Sequence, residues 1–235
     1  RNKVKHISVQ PSLWDSRISM PTSYLMVGKP LYGIYAYKWA GLNENGDPQV
    51  YDAENNVTSG PARDYHALVY CGTTVPIHNA SLTNVLRYKG LEFSAMLILD
   101  AGHKLRSSNI PSINMSNGRI TSTAKGIVDR WTQPGDVTDV PRLLFSNDTE
   151  NFNTHRTELY RYSDLFVYDA SNIRLSNISL AYRVPAHWCK KISLSGARLQ
   201  FNVENVATFA FDSKANYDLG GKVKPNYVWG LYLNF

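Results

Sequence analysis

The last eleven residues, Pro225–Phe235, carry the clearest hydrophobic period in the chain. Tyr227, Trp229, Leu231, Leu233 and Phe235 share one parity; Asn226, Val228, Gly230, Tyr232 and Asn234 share the other. A period of two predicts a β-strand with one apolar, aromatic-rich face and one mixed face. Ala197, Leu199, Phe201 and Val203 repeat the pattern against Arg198, Gln200 and Asn202, within a strand predicted over 190–205. Further strands are predicted over 81–88, 91–101 and 172–184, with a sixth, rich in Tyr and Gly, over 31–40. Lys89-Gly90 reads as a hairpin turn, and Pro185–Cys189 as a second short connection. The 172–184 pattern changes phase near Ser176, which predicts a bulge.

Short connections alternate with long ones. Residues 102–171 separate the two hairpins, and 206–224 separate the second hairpin from the last strand. In an antiparallel meander this gathers every short turn at one end and every long loop at the other. Transmembrane barrels have that asymmetry, with long extracellular loops and short periplasmic turns. A compact soluble domain seldom holds a structureless loop of such length. The predicted fold is therefore all-β, an antiparallel meander in a transmembrane barrel. A soluble β-sandwich that binds carbohydrate or serves as an interaction module is the alternative.

Composition fits a barrel wall. A hydrophobic fraction of 43% with mean hydropathy -0.32 excludes a helical membrane protein, whereas barrels expose only alternate residues to lipid. The 15 Tyr and 5 Trp suit interfacial belts. The net charge of +6 is scattered without a basic run, which argues against nucleic acid as a partner. Arg1–Gln10 has a basic start but no apolar segment to follow it, so an exported protein would carry its signal upstream and this chain would be a fragment. Cys71 and Cys189 match no metal or redox spacing. Placed at opposite ends of the strands, they are expected to stay unlinked.

Candidate chemistry is thin. His66, His78, His103, His155 and His187 lack helical-spacing partners, so no metal or cofactor site is expected. Asn43, Asn45 and Asp47 around Gly46 faintly resemble a calcium loop but lack its closing Glu. Asp136 and Asp139 could be paired carboxylates, though turn capping beside Pro134-Gly135 and Pro141 explains them better. No catalytic residue is proposed, and the chain is not expected to be an enzyme. The loop aromatics Tyr65, Trp131, Phe145 and Phe152 are expected to pack the loops rather than stack on sugars.

Several ordered motifs carry a family resemblance. They are Val27-Gly28-Lys29-Pro30-Leu31-Tyr32-Gly33 with Tyr37 and Ala40-Gly41-Leu42-Asn43, then Gly46-Asp47-Pro48, then Arg130-Trp131-Thr132-Gln133-Pro134-Gly135-Asp136 with Thr138–Pro141. Arg174-Leu175-Ser176-Asn177-Ile178-Ser179-Leu180-Ala181-Tyr182 with Pro185 follows, then Asn202 and Asn205 with Val206 in place of the usual Leu. Together they resemble the SusC/RagA-like TonB-dependent transporters of Bacteroidota outer membranes. The segments Phe211–Lys214 and Asp100–Lys104 depart from the pattern near long loops and remove any basis for naming a substrate.

The resemblance implies that residues 1–235 form the C-terminal segment of a large barrel of about 22 strands in the outer membrane, with plug and earlier strands lying outside it. It implies nutrient import of glycans or peptides, a SusD-like surface lipoprotein as lid, and the TonB complex engaged through the missing N-terminal part. It also implies that Phe235 is a signal read by the barrel-assembly machinery. The strand parity expects Tyr227, Trp229, Leu231, Leu233 and Phe235 to face lipid, with Asn226, Gly230 and Asn234 facing the lumen.

Overall fold

The computed structural model describes residues 3–8, 24–60, 64–116, 119–120, 125–145, 154–219 and 224–235. The chain divides into two units, one formed by 1–75 with 104–168 and one by 76–103 with 169–235.

The second unit is a five-stranded sheet of β1 (His78–Tyr88), β2 (Leu91–Ala101), β3 (Asn172–Arg183), β4 (Gly196–Ala210) and β5 (Asn226–Asn234). Its spatial order is β5-β4-β3-β2-β1, antiparallel throughout. The Lys89-Gly90 turn has φ of 44° and 85°, the double left-handed geometry that matches strand twist in a two-residue hairpin, and Tyr88 pairs Leu91 across it. The bulge predicted at Ser176 is present. Leu175 and Asn177 pair consecutive residues Leu97 and Met96 of β2, so Ser176 is the extra residue. On the other side Asn205, at φ 53°, and Val206 are skipped in β4. The extra residue shifts the phase of β3, β2 runs on unbroken, and the two skipped residues keep the phase of β4. The apolar set therefore stays on one face above and below the slip.

Two strand predictions need correction. The 190–205 strand starts later and runs further, as Gly196–Ala210, because Pro185 opens a short helix, Ala186–Lys191, that uses residues assigned to turn and strand. The connection therefore holds a helical turn and a left-handed Ser193 at φ 58°. The 31–40 segment forms strands, Gly33–Tyr37 and Trp39–Leu42, but these are outside the five-stranded sheet. Gly33–Tyr37 pairs with Leu68–Thr73, and Trp39–Leu42 with Pro48–Tyr51, all in the first unit.

The first unit shows that the long loops are folded. Short strands surround a tyrosine-rich core of Tyr24, Tyr35, Tyr37, Val50, Ala67, Leu68 and Leu159. A smaller cluster holds Ile113, Tyr160 and Phe166. The helix Thr154–Arg161 contributes Leu159 and Tyr160, one to each cluster. Rings meet edge-on at 5.1 Å (Tyr24–Tyr35) and 4.9 Å (Tyr160–Phe166), the geometry that aligns ring edge with ring face. Burial pushes the Tyr35 and Tyr37 phenols up to about 12, so both stay neutral. A core of this size relies on phenols because each brings a large apolar ring and a polar tip.

Candidate functional site

Residues paired across antiparallel strands point to the same face, so the register writes out both faces of the sheet. One row runs Leu86, Phe93, Leu180, Phe201, Trp229 from β1 to β5. The next toward the turns is Tyr88, Leu91, Tyr182, Leu199, Leu231, and the next away from them is Asn84, Ala95, Ile178, Val203, Tyr227. Beyond the bulge follow Leu82, Leu97, Leu175, Ala207 and then Ala80, Leu99, Ile173, Phe209. Asn84 is the one polar residue in these rows. Phe201 lies 4.2 Å from Trp229 and stacks on Tyr227 at 6.3 Å. From Leu91 to Leu99 this face extends about 26 Å along the strand, which at a barrel tilt of about 40° spans about 20 Å of the roughly 25 Å apolar band.

These side chains are uncovered. Trp229 is 78% exposed, Leu231 61% and Phe235 92%. An apolar field of this extent is far larger than isolated surface hydrophobics and requires a nonpolar cover. Among the described residues no helix is long and apolar enough to cross a membrane, which leaves crossing by strands untouched.

The opposite face is polar. Its rows include Arg87, Glu92, Ala181, Gln200, Gly230 and Val85, Ser94, Ser179, Asn202, Val228. Gln200 Nε2 donates to Asn202 Oδ1 at 3.0 Å and to Ser179 Oγ at 3.5 Å. Asn79 donates to Asp100, which also lies 3.7 Å from an Arg174 nitrogen. Tyr232 leans over Gly230 so closely that a Cβ there would sit 3.0 Å from the ring, a glycine–aromatic pair near the sheet edge. At the turn end, Arg87, Lys89, Glu92, Ala181, Arg183 and Arg198 line a recess of about 290 Å³.

Both edges of the sheet, β1 and β5, are unpaired among the described residues and exposed along nearly their whole length. The sheet is open, as a wall segment must be.

In the first unit the structure joins two motifs that are far apart in sequence. The Asn43 side chain accepts hydrogen bonds from the backbone N–H of Asn45 (3.0 Å) and Asp47 (2.9 Å), which shapes the Gly46 turn. Trp131 lies so close over Gly46 that a Cβ would meet its indole at 2.4 Å, and Gly46 holds φ 74°. Asp47 accepts Arg142 Nη2 at 2.9 Å and Nε at 3.1 Å, and Arg156 Nε at 2.7 Å. Arg156, almost fully buried, also donates to the carbonyls of Ile113 (3.3 Å) and Arg142. Burial pulls its pKa below the usual guanidinium value while Asp47 pushes it back.

These contacts settle several sequence candidates. Asp47, Asn43 and Asn45 do not form a cation site, because Asp47 is taken by two arginines and Asn43 by the backbone. Asp136 and Asp139 are not a catalytic pair. Asp136 caps the backbone and hydroxyl of Thr132 and the N–H of Gln133, which holds its carboxyl below the usual range. Asp139 accepts the Trp39 indole N–H at 3.0 Å. Among the described residues no His, Cys, Asp and Glu cluster is able to hold a metal. Tyr65 stacks on Tyr24 at 6.0 Å, so it and Trp131 pack loops; Phe152 and the Phe145 side chain lie outside the described residues. Cys71 and Cys189 are free thiols.

Sequence reasoning missed both charged clusters. Asp47 meets Arg142 and Arg156 across 95 and 109 positions, which no local pattern reveals. The turn-end recess draws on four strands and needs their register. Strand parity was its one available signal, since it already set Arg198 opposite to Leu199.

An open antiparallel sheet with one apolar and one polar face and its short connections at one end has the pattern of a β-barrel wall. No family model matches the chain. It is 25% identical over 226 residues to TonB-dependent receptor P3 of Formosa agariphila, covering 89% of this chain and 21% of that protein. It is 28% identical over 130 residues to TonB-dependent receptor P26 of the same organism, covering 55% of this chain and 12% of the relative. The chain thus spans about a fifth, or less, of these relatives. Among solved structures it superposes on the RagAB peptide importer in its 'open-open' state with TM-score 0.63 and 21% identity, over 90% of this chain and 23% of that one. The 'closed-closed' state gives 0.56 at 22% identity, over 86% and 23%. These matches bear out the resemblance read from the motifs. The chain is thus similar in sequence to TonB-dependent receptors and shares its all-β fold with part of the RagAB importer structures.

Proposed function

We propose that residues 1–235 are the C-terminal wall and outer loops of an outer-membrane TonB-dependent importer, whose plug and remaining strands complete the barrel. The observation that carries this reading is the register: an apolar face about 26 Å long backs directly onto a polar one. Such a wall works only with hydrocarbon on one side and water on the other. Its unpaired edges call for further strands. The similarity to a peptide importer supports uptake of a peptide or oligosaccharide, with a SusD-like lipoprotein over the loops and the TonB complex supplying energy through the plug.

Full-length protein should fractionate with the outer membrane, run faster on a gel unheated than boiled, and bring a surface lipoprotein with it when purified in mild detergent. Recovery of the full-length protein in the soluble fraction would contradict this function.

In the same reading Phe235 is the barrel-assembly signal. It directly follows β5 and is almost fully exposed, while its carbonyl accepts a hydrogen bond from the Ser195 hydroxyl at 3.2 Å. Phe235→Ala should lower the amount of assembled barrel without changing the melting temperature of what assembles. Normal assembly with a lower melting temperature would leave Phe235 as part of the aromatic girdle alone.

A further inference from the structure

The recess at the turn end of the polar face has more positive charge than its own carboxylate satisfies. Glu92 is the single acid lining it. Arg87 reaches Glu92 through Nε at 2.7 Å, and Arg198 approaches the other carboxylate oxygen at 3.6 Å. The Arg183 guanidinium makes no hydrogen bond to any described residue, and Lys89 stands at the rim on the hairpin. Three guanidiniums thus share one acid, while the Lys89 ammonium lies over the Tyr88 ring at 5.3 Å.

Room is left by a small side chain. Ala181 sits between Glu92 and Gln200 in its row. A longer side chain there would fill the recess it lines. The volume of about 290 Å³ suits a carboxylate with a few carbons. Its charged lining comes from the polar face, with Tyr88 and Leu91 of the hairpin at its edge.

We propose that this recess is a carboxylate-binding site on the lumenal face. Planar guanidiniums with free Nη donors form bidentate bonds to a carboxylate, and a second anion relieves the repulsion among Arg87, Arg183 and Arg198. The carboxylate comes either from an anionic solute or from an acidic side chain of the protein lying against this face. The inference rests on the proposed function, in which the polar face lines an aqueous lumen.

The test uses full-length protein in detergent, titrated calorimetrically with glutarate and with its neutral analogue glutaramide, for the wild type and for Arg183→Gln and Arg198→Gln. Glutarate binding that glutaramide does not share, weakened about tenfold or more in each variant at unchanged melting temperature, supports the site with a solute as its source. Absent glutarate binding, a lower melting temperature in both variants that persists when each is made in a Glu92→Gln background, and that vanishes at high salt, supports the site with a further internal carboxylate as its source. Binding unaffected by either variant overturns the proposal, as does neither binding nor any change in melting. Failure of the importer reading shows elsewhere, in the membrane fractionation, while the titration reports on the recess itself.

Discussion

Replacing Asp47 with Asn strikes the contact that joins the 41–48 and 130–142 loops of the first unit. Asp47 is the shared acceptor for Arg142 and Arg156. The Arg156 side chain is 3% exposed, whereas that of Arg142 is 25% exposed and can turn to water. Leaving a buried charge without its counterion costs about 3–5 kcal/mol. Arg156 keeps acceptors on Ile113, Asn114 and Arg142, which places the expected cost near the lower end, at about 3 kcal/mol. That raises the open population of the loop unit by about 100-fold. Limited proteolysis of the full-length protein in detergent reads this population directly when reclosing outpaces cleavage. Asp47→Asn should speed cleavage within 41–60 and 130–145 by about that factor, with cuts in the five-stranded sheet unchanged. Cleavage within about twofold of wild type would refute the claim that Asp47 holds the loops together.

Two other outcomes follow from the loop unit. The Asp136 carboxyl is held below its usual pKa chiefly by the Thr132 backbone N–H, so its cap is fully present above about 3.9 and is lost as pH falls through the lowered folded value. Trp131 fluorescence should therefore change over that acid window in wild type, with a correspondingly smaller change in Asp136→Asn; equal profiles would remove the capping role. The Cys71 thiol is pushed up to about 11 by burial, then by Asp164, so at pH 8 it is almost wholly protonated. Mass measurement after iodoacetamide treatment should show native Cys71 unmodified and the denatured protein alkylated; rapid native labelling would contradict its described environment.

The sheet was legible because period two survives wherever one face is apolar. Leu91–Ala101 has the boundaries that the pattern predicts, and the Ser176 phase change marks a real bulge. Pro185 was ambiguous, since a turn and the first turn of a helix both accept it. The 31–40 segment looked like barrel wall because tyrosines that pack a loop core and tyrosines that form a girdle are the same letters. The loop motifs were visible as strings, but their purpose was not. Gly46 lies under the Trp131 ring, and Asp47 meets arginines 95 and 109 positions away. Those contacts exist only after the chain has folded.

The central claim is that the two faces of the sheet meet different solvents. A nitroxide scan along β4 in full-length protein reconstituted into liposomes measures this one residue at a time. Spin labels at 197, 199, 201 and 203 should collide with membrane-dissolved oxygen. Labels at 198, 200 and 202 should collide with a water-soluble nickel chelate, so that accessibility alternates with period two. Equal exposure of both parities to the nickel chelate, or an inverted alternation, would contradict a wall with lipid on the Phe201 face and water on the Gln200 face.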